Sequence, residues 1–412
     1  MTDAAWDNTD KHADHQKSGL RHSKIAVAQV GGPTAVINGS LYGFIKRIRQ
    51  LEESAEIIGI HDGMSGLLEN RMSAIKPEQP LEWLRAQPGS ALGAGRKSLT
   101  AEDIETCVNG LRDRDIHALA LAGGNGTMWA CRQIELKARE LGYELQVIGI
   151  PKTVDNDIME TDHTPGFPSA AKFVAHAVRD LGADLASMRS FEQVRVVETM
   201  GRNVGWLAAA SGYFKQTVDD APHLIYVPES RFDLEKMLAD VACIQQRLGY
   251  CLIVVSEGLR DCHDRPISAN GINNGKQNGQ GLRALGGVGA YIAEEIGERL
   301  GVSCRYENLG MLQRCASLAL SGQDQAEAEA VGCKAAELLL DGHTGEMVTI
   351  RRLQNTPYRW ETGSAPFIKV AGMEREFDSA CLGQGGLIAE SYKTWLAPFI
   401  GDNQPYKQFS MD

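Results

Sequence analysis

The sequence predicts an α/β protein built on parallel sheets covered by helices on both faces. Short apolar runs alternate with helix-length segments along most of the 412 residues, the pattern of strand–helix–strand units. Those runs are short and β-branched or alanine-rich, as strands buried on both faces tend to be. Glycines and aspartates cluster just after the runs, at the carboxyl edge where ligands bind in open α/β sheets.

The first strand is expected at Lys24–Val30 (KIAVAQV), closing in Gly31-Gly32-Pro33, with a helix from Thr34 to about Leu51. Glu56–Ile60 repeats the cycle. Ile116–Ala122 runs into Gly123-Gly124-Asn125-Gly126-Thr127 and another helix, and Leu145–Ile150 runs into Pro151-Lys152-Thr153. Val194–Val197, Leu224–Val227 and Leu252–Val255 follow at helix-length spacing. Residues 1–23 are polar and read as a mobile tail. Asp261–Arg283, rich in Gly and Asn, reads as a surface loop or flexible flap. From about Arg351 to Asp412 no motif is found, and that stretch is expected to pack onto the domains before it.

Composition narrows the function. Apolar residues make up 43% and charged residues 23%, which is ordinary for a globular chain able to bury a large core. Asp plus Glu number 53 against 42 Lys plus Arg, a net charge of −11, which argues against nucleic-acid or anionic-membrane partners. No run is long and apolar enough to cross a membrane, and a cytoplasmic location is expected. The nine cysteines include no C-x-x-C pair, so zinc-site and disulfide-framework readings fail.

Pro151-Lys152-Thr153-Val154-Asp155-Asn156-Asp157 is the sharpest motif. Carboxylates at i and i+2 in an extended segment share one side, so one can take a hydroxyl proton while the other faces a divalent cation. Lys152 would meet phosphate oxygens. The same composition also fits a plain turn. Gly123–Thr127 and Gly31–Asn38 are glycine turns opening helices, suited to phosphate but common, and neither is G-x-G-x-x-G nor a P-loop. Pro88–Arg96, Met200-Gly201-Arg202, Ser256-Glu257-Gly258 and the pair Arg305 and Arg314 add Arg and Glu at junctions, where Arg suits bidentate phosphate capture.

Taken in this order, the segments resemble the ATP- and pyrophosphate-dependent phosphofructokinases from about Lys24 to about Leu340. The resemblance implies two similar Rossmann-like three-layer domains with the active site in the cleft between them. One would comprise residues 24–166 plus about 313–365 and bind the phosphoryl donor; the other would comprise 167–312 plus about 366–412 and bind the sugar phosphate. It implies Asp155 as base, with Lys152 and Arg202 assisting, for the carbon-1 hydroxyl of fructose 6-phosphate. Thr153, Asp157, Met200, Gly201, Arg202, Glu257, Arg305 and Arg314 would bind that sugar. Gly32, Arg96, Gly124, Gly126, Thr127 and Lys152 would hold ATP or pyrophosphate, and Asn125 and Asp157 would hold Mg²⁺. A homodimer or homotetramer is expected.

Three positions depart from the family. Asn125 stands where a metal-assisting Asp is usual, Met311 where many members have His, and Gln193 where many present an Arg from a neighbouring subunit. These changes leave open a different sugar phosphate, such as sedoheptulose 7-phosphate, or a non-catalytic sensor. For the donor, Gly126 lacks the carboxylate with which pyrophosphate users exclude nucleotide, whereas Lys152 is the residue those users carry. Because exclusion needs an active repulsion, the expectation leans to ATP. NAD-kinase and lipid-kinase readings lack support, since P-K-T-V-D-N-D and M-G-R do not belong to their pattern, and a nicotinamide-dehydrogenase reading lacks G-x-G-x-x-G.

Overall fold

The computed structural model describes residues 24–95, 97–268, 271–272 and 286–402. The expected tail 1–23, Arg96, and residues 269–270 and 273–283 of the expected flap lie outside the described residues.

The first half of the chain runs β1 (Lys24–Gln29), α1 (Ile37–Leu51), β2 (Glu56–Ile60), α2 (Gly63–Leu68), β3 (Met72–Ala74), α3 (Ala101–Asp113), β4 (Ala118–Gly123), α4 (Asn125–Glu140), β5 (Gln146–Pro151) and α5 (Phe167–Met188). It continues through β6 (Val194–Thr199), α6 (Trp206–Ala210), β7 (Leu224–Tyr226), α7 (Leu234–Leu248), β8 (Cys251–Ser256), β9 (Ile267–Ser268) and β10 (Gly271–Ile272). The last part holds α8 (Val288–Leu300), β11 (Cys304–Asn308), α9 (Leu312–Cys315), α10 (Gly322–Leu340), β12 (Glu346–Asn355), β13 (Tyr358–Pro366) and α11 (Glu390–Ile400).

Two sheets carry the fold. The larger has strand order β13-β12-β5-β4-β1-β2-β3, and the smaller β11-β6-β8-β7. Their central pairings are parallel; antiparallel pairs occur at the edges, β2 with β3 and β12 with β13. Alternation within single strands sorts side chains into two cores per sheet. Ala26 and Ala28 join one cluster and Ile25 and Val27 the other, and β6 divides Val197 from Val194 and Val196 in the same way. Such double burial explains why β4 (ALALAG) is apolar throughout.

The segment without a motif completes both halves. β12 pairs with β5 and extends the larger sheet, while Leu396, Phe399 and Ile400 of α11 fill a core beside the smaller one. The start of the expected flap proves structured. Asp261 is buried and accepts from the backbone N–H groups of His263 and Arg265, and β9 and β10 pair as a short ribbon.

α1 and α10 cross at glycine contacts. A Cβ on Gly43 would lie 2.0 Å from the Glu329 carbonyl oxygen, and one on Gly332 would lie 2.0 Å from that of Ser40. Only glycine permits this approach of one helix backbone to another.

Candidate active site

The carboxyl ends of β1, β4 and β5 face those of β6 and β8 across a cleft of about 830 Å³. Its wall brings together Gly32, Gly124, Asn125, Gly126, Thr127, Lys152, Thr153, Asp155, Asp157, Met200, Arg202, Glu257 and Arg314. These residues are drawn from Gly32 to Arg314, most of the length of the described chain. Two expected residues are not on this wall. Gly201 sits just behind it, its carbonyl accepting from the Ser256 hydroxyl at 2.6 Å. Arg305, expected on the sugar phosphate, is instead exposed on the edge strand β11, with its Nε 3.0 Å from the Glu192 carboxylate. On this edge strand it lies outside the wall of its own chain's cleft. Arg96 lies outside the described residues.

The loop after β5 is built to hold its carboxylates. Asn156 takes a left-handed backbone (φ 59°), which Asn tolerates better than most residues. Its Oδ1 accepts from the Thr164 N–H at 3.0 Å, closing the loop on itself. Asp155 and Asp157 therefore reach the cleft from either side of a left-handed turn; the extended alternation expected from spacing is not what places them. The Thr153 hydroxyl accepts from the Asp155 N–H at 3.1 Å. Lys152 is buried and donates to the Gly32 carbonyl at 2.6 Å, so the β5 loop and the first glycine turn are tied together.

On the same side, Gly124 caps α4, whose first turn (Asn125, Gly126, Thr127) lines the cleft. A helix amino end supplies free N–H groups and positive potential for an anion. A Cβ on Gly126 would meet no atom within 4 Å, so there is open space in front of it. Asn125 donates through Nδ2 to both the carbonyl and Oδ2 of Asp157, each at 2.9 Å. Burial pushes the Asp157 carboxyl up, against the hydrogen bond from Asn125. The Oδ1 atoms of Asn125 and Asp157 are buried without a hydrogen-bond partner. Two orphaned hard oxygens beside a phosphate-type turn suit Mg²⁺, which takes one or two protein oxygens and completes its shell with phosphate and water. Among the described residues no cluster of three or more His, Cys, Asp or Glu forms an all-protein cage.

Opposite them, glycines set the backbone. Gly201 has φ 135°, and a Cβ on Gly258 would lie 1.9 Å from the Arg202 carbonyl oxygen, so the M-G-R and S-E-G turns pack backbone to backbone. Gln313 accepts from the Met200 N–H at 2.9 Å and joins the segment carrying Arg314 to the M-G-R turn. Met311 lines the cleft with its side chain exposed. Gln193 lies elsewhere, its Oε1 accepting from the Ser303 N–H at 3.0 Å.

A family model described as Phosphofructokinase matches residues 24–339. The chain belongs to the phosphofructokinase family. It is an enzyme family of ATP- or diphosphate-dependent phosphotransferases with alcohol acceptors. The chain is 42% identical over 380 residues to a protein named sulfofructose kinase from Alkalicoccus urumqiensis, covering 92% of this chain and 95% of that one. It is 36% identical over 391 residues to a pyrophosphate–fructose 6-phosphate 1-phosphotransferase from Halomonas elongata, covering 92% of each. The crystal structure of a pyrophosphate-dependent phosphofructokinase from Nitrosospira multiformis superposes with a TM-score of 0.82 at 32% identity, covering 95% of both chains. These matches agree with the α/β architecture of parallel sheets. No helix among the described residues is long and apolar enough to cross a membrane.

Sequence reasoning missed the residues that fix the β5 loop from behind. Asp324 of α10 is fully buried and accepts from the N–H groups of Gly166 and Ser169 at 2.8 and 3.0 Å and from the Ser169 hydroxyl at 2.5 Å. Burial pushes its carboxyl up to about 6. A lone Asp in a helical stretch carries no signal of this; its partners lie more than 150 residues away.

Proposed function

We propose that the chain transfers a phosphoryl group to the carbon-1 hydroxyl of a fructose carrying an anion at carbon 6, with fructose 6-phosphate as first acceptor and ATP as donor. The observation that carries this is the single cleft that sets Asp155, Asp157 and Lys152 against Arg202, Glu257 and Arg314. The donor's phosphates would lie on the glycine turns and the amino end of α4, with Lys152 beside them. Mg²⁺ held by Asn125 and Asp157 would neutralise charge on the transferring group. Asp155 accepts the hydroxyl proton as the sugar oxygen bonds to phosphorus and the donor's bridging oxygen leaves, giving the sugar phosphate ester and ADP. Arg314 and Arg202 orient the anionic sugar, and Glu257 accepts from its hydroxyls.

The open space at Gly126 supports ATP, since no carboxylate stands where the rest of a nucleotide would pass. A coupled assay with fructose 6-phosphate and either ATP or pyrophosphate, across Mg²⁺ concentrations, tests the donor. Turnover with pyrophosphate alone would reject ATP. Binding of sugar phosphate without turnover on either donor would make the chain a sensor. In a cytoplasmic homodimer or homotetramer, Arg305 would serve a neighbouring copy's cleft.

One set of positions favours a second acceptor. Met311 offers no hydrogen bond to a carbon-6 anion, Gln193 is neutral, and the charge of Arg305 is offset by Glu192. A phosphate brings a charge of about −1.5 to −2 at neutral pH, whereas a sulfonate brings a single charge and needs fewer cations. Together with the likeness to a sulfofructose kinase, this favours a fructose with sulfonate in place of phosphate. Comparing kcat/KM for the two acceptors decides between them.

A further inference from the structure

Behind the cleft lies a buried cluster that the proposed chemistry does not use. His163, in the loop that carries Asp155 and Asp157, has no exposed surface. Its Nδ1 lies 2.8 Å from Asp162 Oδ2 and its Nε2 lies 2.6 Å from Glu327 Oε2. A neutral imidazole has one donor and one acceptor nitrogen, and a carboxylate only accepts. With carboxylates at both nitrogens, the ring satisfies them only as an imidazolium donating twice.

Every element packed on the ring contributes to this arrangement. From the loop itself comes Asp162, and from α10 comes Glu327, which also accepts from the Tyr358 hydroxyl of β13 at 2.6 Å and from Gln323 at 3.1 Å. Arg352 of β12 donates to Asp162 at 3.0 Å. From α11, Trp395 donates to Asp162 at 3.2 Å, and the Phe399 ring packs 4.6 Å from the imidazole. Arg375 donates to the backbone carbonyls of Thr161 and Asp162. Within the inner cluster, His163 and Arg352 balance Asp162 and Glu327. The same loop is held at Asp157, whose carbonyl accepts from the Arg375 N–H at 2.8 Å, and at Gly166 by Asp324.

We infer that His163 is a positioning residue: as an imidazolium clamped between Asp162 and Glu327, it locks the loop that presents Asp155 and Asp157 to the cleft. This inference rests on the phosphotransferase reading above. Burial favours the neutral ring, but the Glu327 charge and the hydrogen bonds to Asp162 and Glu327 outweigh it and push the imidazole up to about 9. Loss of that proton leaves one of the two carboxylates facing a nitrogen that has nothing to donate, and the loop loses a fastening on that side. Turnover should therefore fall on the alkaline side without loss of sugar or donor binding.

The test uses the full chain. Heteronuclear NMR follows the His163 imidazole against pH, with His163→Gln identifying its resonance, and kcat and KM are measured over the same range with fructose 6-phosphate. In the wild type the ring stays protonated through neutral pH. In Glu327→Gln it loses its proton about one pH unit lower or more, and the alkaline limb of kcat moves down with it while KM stays within about threefold. Should that variant fold poorly, Tyr358→Phe replaces it. Removing the phenol leaves Glu327 freer for the ring, and the limb then moves to higher pH. A wild-type ring that is neutral at pH 7, or an alkaline limb that does not follow the ring in a folded variant, overturns the inference. If no acceptor or donor gives turnover, the functional reading fails while the NMR titration still judges the clamp.

Discussion

The two walls of the cleft are fastened very differently. The β5 loop is held at Lys152, Asp157, Thr161, Asp162, His163 and Gly166 by groups from the first glycine turn, α4, α10, β12, α11 and Arg375, and at Asn156 by its own Thr164. The facing segment around α9 is tied mainly through Gln313 and Asn308, and it leaves Met311 and Leu312 each 60% exposed. A buried, densely bonded network tolerates little change, because removing one partner leaves another unsatisfied at about 1–3 kcal/mol. An exposed side chain on a lightly held turn can be exchanged with little effect on stability. The wall that carries Asp155 and Asp157 is over-determined, and the wall that carries Met311 and Leu312 is more open to change.

The largest effect that could break this contrast is at the base. Asp155→Ser should lower kcat by about 10²–10⁴-fold, the range for loss of a positioned base, with fructose 6-phosphate binding retained in calorimetry. Unchanged turnover would falsify the role of Asp155. Gly126→Asp fits sterically and should cut kcat/KM for ATP by about 10–100-fold, since a like charge at the donor costs a few kcal/mol, while pyrophosphate use is spared. On the variable wall, Met311→His should raise kcat/KM for fructose 6-phosphate relative to the sulfonate sugar by about tenfold, as one charge-assisted hydrogen bond does, with an unchanged melting temperature. An equal gain on both acceptors would argue against charge selection there.

The smallest effect is on stability against pH. The folded-state pKa of His163 is raised from 6.5 to about 9, so its contribution is complete below about pH 6.5 and is lost as pH rises through 9. The wild-type melting temperature should therefore fall more steeply over that window than that of His163→Gln, by a few degrees. Parallel curves in differential scanning calorimetry would show that the ring gains no proton on folding.

Much of the larger sheet and the cleft was legible because their signals are local. β1, β2, β4 and β5 are apolar runs, and most residues that line the cleft, Met311 and Arg314 apart, follow those strands or β6 and β8 within a few positions. β11 (CRYEN) was not legible: it is an edge strand, polar and half-exposed, with no apolar alternation to mark it. The outer half of the β12–β13 hairpin is exposed and charged for the same reason. The family resemblance implied Arg305 as a sugar contact, and only the fold shows that it lies on an edge strand outside the wall of its own chain's cleft. His163, Glu327 and Asp324 were invisible because a buried charge is defined by its partners, and theirs are far away in sequence.

The glycine crossing of α1 and α10 has a consequence for how the protein tolerates mutation. α10 delivers both Asp324 and Glu327 to the back of the β5 loop, and its height above the sheet is set where Gly43 and Gly332 let it rest on α1. A single methyl group at either glycine would jack the two helices apart and withdraw two anchors from a loop that neither glycine touches. In a mutational scan these positions should behave like active-site residues, although they meet neither sugar nor phosphate.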